Sequence, residues 1–204
     1  MADSRGRPRS FDSEKALEHA LGLFWRWGYL GTSYSDLCAE TGLSKPSLYA
    51  AYGNKEETFL AALDLYFSRY VQPGIDTLES EPNPLEAVRK LLVATVEGLT
   101  AKGTPPGCMI ATNAACAAAP DVPPAVGIAL KAAAKKTPNA LAARLTKAKV
   151  AGQFPPDTSI SALTAFYDTL ITGLSGLAKQ GAPRKPLMQA VDTAMLIWPS
   201  NGSV

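Results

Sequence analysis

Histidine is almost missing from this 204-residue chain, in which His19 is the single example. Its scarcity excludes paired-histidine metal sites, and it leaves a histidine-dependent triad with a base placed midway along an amphipathic helical pattern. Cysteine is scarce as well. Cys38, Cys108 and Cys116 are an odd set with no Cys-x-x-Cys spacing, so neither a disulfide framework nor a zinc site is expected, and a reducing cytoplasm is the natural setting. No apolar run approaches the roughly 18 residues that cross a bilayer. The polar start from Met1 to Pro8, which carries Arg5 and Arg7, is unlike a signal peptide. An excess of one charge is also missing. Twenty Lys and Arg stand against 18 Asp and Glu, a net of +2, so any contact with nucleic acid must come from where the charges sit. Aromatics make up only 8%, and strand signals are nearly absent. Metal, cofactor, catalytic residue and membrane partner are all expected to be lacking.

The 47% of residues that are apolar suffice for a packed core, and their spacing of three and four from Phe11 onward predicts helix throughout. Prolines mark the joints. Pro82-Asn83-Pro84, Pro105-Pro106, Pro120 to Pro124, Pro155-Pro156 and Pro183 to Pro186 divide the chain after Glu81 into five segments of helical length. Before Glu81 the segments are shorter and end at Gly28, Gly42 and Gly53, where a helix C-terminus favours positive φ. The first helix is expected to open with Asp12 as N-cap and to pack Leu17, Ala20, Leu21, Phe24 and Trp27. Ser33 and Asp36 form a capping box for a second, short helix. Gly42-Leu43-Ser44 then turns into a third, in which Pro46 is tolerated because the first helical turn has no intrahelical partner for its amide. A fourth begins near Lys55 and carries Phe59, Leu63, Tyr66 and Tyr70.

Helix, short helix, glycine turn and helix is the grammar of a helix-turn-helix. Gly28-Tyr29-x-x-Thr32-Ser33, Leu37-x-x-x-Thr41-Gly42-Leu43-Ser44 and Leu48-Tyr49-x-x-Tyr52-Gly53-Asn54-Lys55-Glu56-Glu57 together resemble the N-terminal domain of the tetracycline-repressor (TetR) family over about residues 10 to 70. Pro46 replaces the usual glycine and resembles a subgroup with a Pro-Ser-Leu-Tyr-Ala-Ala-aromatic-Gly stretch. Pro106-Gly107-Cys108-Met109 and Gly152-x-Phe154-Pro155-Pro156-Asp157, followed by Gly173-Leu174, resemble that subgroup more loosely. The resemblance implies an all-α repressor of about nine helices. Residues 1–55 would form the arm and a three-helix DNA-binding domain, 55–72 a connecting fourth helix, and 73–204 an effector-binding and dimerisation domain. It also implies that an effector shifts the fourth helix and so the separation of the two recognition helices.

For DNA, the resemblance places Lys45, Pro46, Ser44 and Ser47 on the recognition helix and sets Tyr49 against the phosphate backbone. Tyr52 stands between core and backbone. Lys55, Thr32 and Ser33 would meet phosphates at helix starts, Ser33 equally being only a cap. Arg5 and Arg7, with Arg9, form a basic arm that either reaches a groove or is simply a solubilising terminus. Leu163, Leu170, Gly173, Leu174 and Leu177 in the eighth helical segment, and Leu187, Val191, Ala194 and Trp198 in the last, form narrow seams suited to a four-helix dimer interface or to packing within one chain. Leu92, Val96, Leu99, Met109, Phe166 and Leu170 are candidates for an apolar effector cavity, with Thr95, Thr112, Asn113 and Tyr167 as polar anchors. The alternative for each is a closed core.

The stretch from Val122 to Gly152 carries Lys131, Lys135, Lys136, Arg144, Lys147 and Lys149 and no acidic residue, which reads as a solvated face or, alternatively, as a surface for an anionic effector or partner. Pro138 is expected to kink that helix or to restart it with Thr137 as N-cap. Cys108 and Cys116, eight apart, would share one helix face about 12 Å apart, too far to bond to each other. The partners anticipated are operator DNA, a second copy of the chain and an unidentified small molecule. The alternatives are a redox-responsive repressor acting through Cys108 and, more remotely, a small helical enzyme or an adaptor.

Overall fold

The computed structural model describes the backbone of residues 9–114 and 116–199 and the side chains from residue 13 on. Among these residues there is no strand. There are ten α-helices: α1 (Arg9–Trp27), α2 (Tyr34–Thr41), α3 (Lys45–Tyr52), α4 (Lys55–Tyr66), α5 (Gln72–Ser80), α6 (Pro84–Leu99), α7 (Met109–Ala114), α8 (Pro124–Val150), α9 (Ile160–Lys179) and α10 (Arg184–Met195). A single π turn, Phe67–Val71, joins α4 to α5. The helix count agrees with the expected number of about nine, and helical backbone continues past residue 72 to Ser80. Pro73 in the first turn of α5 has no amide to donate back, and the wider turn lies immediately before it.

Local chemistry sets the helix ends. The Ser33 hydroxyl accepts from the Asp36 amide at 3.1 Å while the Asp36 carboxylate accepts from the Ser33 amide at 2.8 Å, closing the expected capping box. Asn54 and Glu57 build a second one on α4, at 3.0 and 2.8 Å. Gly42, at φ 69°, provides the left-handed residue on which the α2–α3 turn depends. α1 departs from expectation at both ends. It already runs from Arg9, so Asp12 stands within its first turns and not at its N-cap. At the other end Trp25 is the buried tryptophan and Trp27 is 62% exposed. Pro138 does not restart α8, which runs unbroken for 27 residues.

Two apolar clusters form the core. The first gathers Phe24, Tyr29, Leu37, Leu48, Phe59 and Leu63 from α1–α4 and continues into Met109, Val126 and Leu130. At its centre the Phe24 and Tyr29 rings meet Phe59 edge-on, at 5.0 and 5.3 Å between centroids. The second unites Leu92, Val96, Leu141, Leu145, Tyr167, Leu174 and Val191 from α6, α8, α9 and α10. The basic stretch of α8 is less solvated than its charge suggests. Arg144 is buried and donates to the carbonyls of Glu81 and Pro82, both at 2.8 Å, holding the end of α5. Lys136 lies over the Phe67 ring at 3.7 Å, and Lys149 donates to the Thr158 carbonyl. No helix among the described residues is long and apolar enough to cross a membrane.

Candidate nucleic-acid interface and effector cavity

α3 is anchored by Leu48, which is fully buried, and turns Ser44, Lys45, Pro46, Ser47 and Tyr49 to solvent. The Ser44 hydroxyl accepts from the Ser47 amide at 3.3 Å and so fixes the start of the helix. Lys45 extends beside the Tyr34 ring at 5.9 Å, and the Tyr34 hydroxyl donates to the Gly53 carbonyl at 2.8 Å, tying α2 to the end of α3. An exposed cation, two hydroxyls and a phenol on one short helix can reach base edges and phosphates together.

Among the neighbouring positions Thr32 departs from expectation, and Tyr52 and Ser33 take the alternatives left open for them. Thr32 is buried and donates to the Gly28 carbonyl at 2.8 Å, so it closes the turn after α1 and offers nothing to a phosphate. Tyr52 donates to the Ser13 carbonyl at 2.7 Å, which favours its core reading. Lys55 is half-buried with its ammonium 4.2 Å from the centre of the Tyr29 ring. Burial lowers its pKa, and the Asp36 carboxylate partly opposes that shift. Ser33 is exposed, yet both its amide and its hydroxyl serve the capping box. Arg5 and Arg7 lie outside the described residues. His19 points its Nδ1 at the Glu40 carbonyl, 2.8 Å away, and joins α1 to α2.

Behind this unit, a cavity of about 660 Å³ opens between the π turn, α5, α6, α7, α8 and α9. Of the ten expected lining residues, Thr95 and Leu99 face it. Leu92, Val96 and Met109 are sealed in the cores, Tyr167 is fully buried, and Leu170 packs on the second core. Phe166 stands 39% exposed on another face, and Thr112 is half-buried away from the cavity. Asn113 is a buried strut. Its carbonyl oxygen accepts from the Tyr29 amide at 2.7 Å and its amide donates to the Met109 carbonyl at 2.8 Å. The actual wall includes Trp25, Tyr66, Tyr70, Arg69, Cys108 and Asp168, none of them expected there. Asp168 had a legible signal, since it and Lys179 are the only charged residues in the 20-residue α9.

The same wall is bonded to the helix-turn-helix unit. Trp25 donates its indole N–H to the Gly107 carbonyl at 2.8 Å, and Lys179 donates to the carbonyls of Trp25 and Arg26 at 3.0 and 2.9 Å. Gly107, at φ 83°, lies so close to Lys179 that an added Cβ would stand 2.9 Å from its side chain, so this crossing requires glycine. Cys108 precedes α7, whereas Cys116 lies beyond its end. The two therefore do not share one helix.

α9 has three faces. Leu163, Tyr167, Leu174 and Ala178 enter the second core, where they meet Leu187, Val191 and Ala194 of α10, so those seam positions pack within the chain. Trp198 is half-buried, its ring 5.1 Å from that of Phe154. Asp168, Ile171, Thr172 and Ser175 face the cavity. Phe166, Gly173, Gly176 and Leu177 face outward, joined by Leu196 and Ile197 just after α10.

The family model for bacterial regulatory proteins of the tetR family matches residues 16–62, and that for the tetracyclin repressor-like C-terminal domain matches residues 84–194. This chain belongs to the tetR family. Among its TetR relatives, the transcriptional repressor ComR of Escherichia coli K12 is 34% identical over 197 residues, 96% of this chain and 93% of ComR. The uncharacterised regulator YezE of Bacillus subtilis is 29% identical over 193 residues, 94% of this chain and 98% of YezE. Among solved structures, the TetR regulator CifR, a cysteine mutant in complex with 26-base-pair operator DNA, superposes with a TM-score of 0.86 at 36% identity over 95% of this chain and 100% of CifR. The helix-turn-helix described above falls within the first TetR match, and most of the cavity wall within the second.

Proposed function

We propose that this chain is a transcriptional repressor that binds a two-fold operator as a homodimer and releases it when a small molecule enters the cavity. The observation that carries the reading is the exposed face of α3, where Ser44, Lys45, Pro46, Ser47 and Tyr49 project together above a buried Leu48. ComR, a named repressor, and CifR, solved on operator DNA, support it. Pro46 supports a place in the subgroup with a proline near the start of the recognition helix. Cytoplasmic residence follows from the regulatory role.

Dimerisation would use the outward face of α9, with Phe166, Gly173, Gly176 and Leu177, and the end of α10. The two glycines have open space around them and would let a partner helix approach closely. A ligand seated against Tyr66, Tyr70 and Trp25 would press directly on the α4–π-turn segment and on the end of α1. Because Trp25 is bonded to Gly107 and Tyr29 to Asn113, displacement there would travel to α1 and tilt α3 in each protomer. Lys45→Ala combined with Tyr49→Ala should lower operator affinity at least about a hundredfold, roughly 2.7 kcal/mol, with the oligomeric state unchanged. Retention of full affinity in a mobility shift would overturn the assignment.

A further inference from the structure

The wall of the cavity is an aromatic corner facing a single unpaired carboxylate. Trp25 meets Tyr66 and Tyr70 edge-on, each at 4.8 Å, and the two tyrosines stack at 5.4 Å. Among the described residues, the only charged ones lining it are Arg69 and Asp168. Arg69 is already committed, its guanidinium donating to Glu18 at 2.6 Å and to Glu14 at 3.2 Å. Asp168 has neither a hydrogen-bonding nor an ionic partner among the described residues, and burial raises its pKa. Its charge is therefore partly desolvated and uncompensated.

The neutral polar groups point the same way. Thr95 donates its hydroxyl proton to the Leu91 carbonyl at 2.8 Å, Ser175 to Ile171 at 2.8 Å and Thr77 to Pro73 at 2.9 Å. With those protons spent on their own helices, the three hydroxyls offer only lone pairs to the cavity. Pro138, also in the wall, has no amide to give the carbonyl of Ala134, a lining residue four positions earlier. The cavity thus sets these acceptors and the aromatic faces beside one uncompensated carboxylate, with the hydroxyls of Thr137, Thr172 and Tyr70 also in its wall.

We propose that the cavity binds an amphipathic organic cation, an apolar body bearing an ammonium-like charge, with Asp168 as its counter-ion and Trp25, Tyr66 and Tyr70 as its aromatic wall. A cation recovers the desolvation of the carboxylate and gains from the ring faces, whereas an anion of the same shape meets the like charge of Asp168. The inference names the ligand class for the effector site proposed above, but it concerns binding to the chain without DNA. If operator binding failed in the mobility shift, the repressor reading would fall and this assignment would still stand on its own titration.

The test is calorimetric titration of the full chain, free of DNA, with tetraphenylphosphonium and with tetraphenylborate, which share a shape and differ in the sign of their charge. The phosphonium should bind at least about tenfold more tightly. Asp168→Asn should erase that preference and Asp168→Glu should keep it, with thermal melts confirming that both variants fold. Equal or tighter binding of the borate, no binding of either ion, or a preference that survives Asp168→Asn would each overturn the proposal.

Discussion

Asn113 shows how one side chain can join regions distant in the sequence. Its contact with the Tyr29 amide spans 84 residues, and no periodicity or capping rule reaches that far, so it reads from sequence as a pocket anchor. Ser33, Ser44 and Gly42 were legible because everything that defines them lies within four residues. Asp168 yields a residue-scale prediction. Burial raises its folded pKa above the usual carboxylate value, so the folded chain binds the proton more readily than the unfolded chain in the window from that value down to about 3.8. Stability relative to Asp168→Asn is therefore gained as pH falls through the raised pKa. The asparagine variant should melt above wild type at pH 7, and the gap should close towards pH 4. The groups around the site are Arg69, Tyr66, Tyr70 and Cys108. All of these, and the carboxylates of Glu14 and Glu18 that hold Arg69, are common to both proteins. Paired melting curves across pH would decide it.

At the scale of the element, α8 and α9 show what a pattern can and cannot convey. The five proline joints correctly divide the chain after Glu81 into α6 to α10, because proline ends a helix wherever neighbours do not rescue it. Pro138 is where the local rule fails. α8 is held on both sides of it, by Leu130 and Ala133 in the first core and by Leu141 and Leu145 in the second, and that packing outweighs the lost backbone bond. Replacing Pro138 with alanine should restore a donor to the Ala134 carbonyl and stabilise the chain by about 1–3 kcal/mol, read as a higher midpoint in urea. In α9, spacing of three and four located the apolar positions but not which neighbour each meets. Three faces of that helix carry apolar residues, so the seam assigned to a partner subunit turned out to contain the intrachain residues Leu163 and Leu174.

For the whole molecule, the two cores do not separate along the expected domain boundary. Met109, Val126 and Leu130, all beyond residue 72, pack into the core of the helix-turn-helix, so the two halves of the chain share that core. The proposed dimer would then act as a lever with one stiff arm per protomer. Leu177, 50% exposed on the outward face of α9, should tolerate a change to glutamate without loss of fold. In a dimer it would bring two charges into an apolar interface. Leu177→Glu should give a monomer in sedimentation velocity and lower operator affinity by at least about tenfold, since half-sites bound singly lose the gain from linkage.

The ammonium of Lys179 rests on the carbonyls of Trp25 and Arg26 near the end of α1, and it stands one helical turn beyond Ser175 in the cavity wall. Under the proposed mechanism this places a third kind of phenotype on the molecule. Selection for strains that stay repressed in the presence of inducer should yield substitutions at Lys179 and Gly107, positions that touch neither operator nor ligand. Such alleles would keep full occupancy of both sites and lose only the conversation between them.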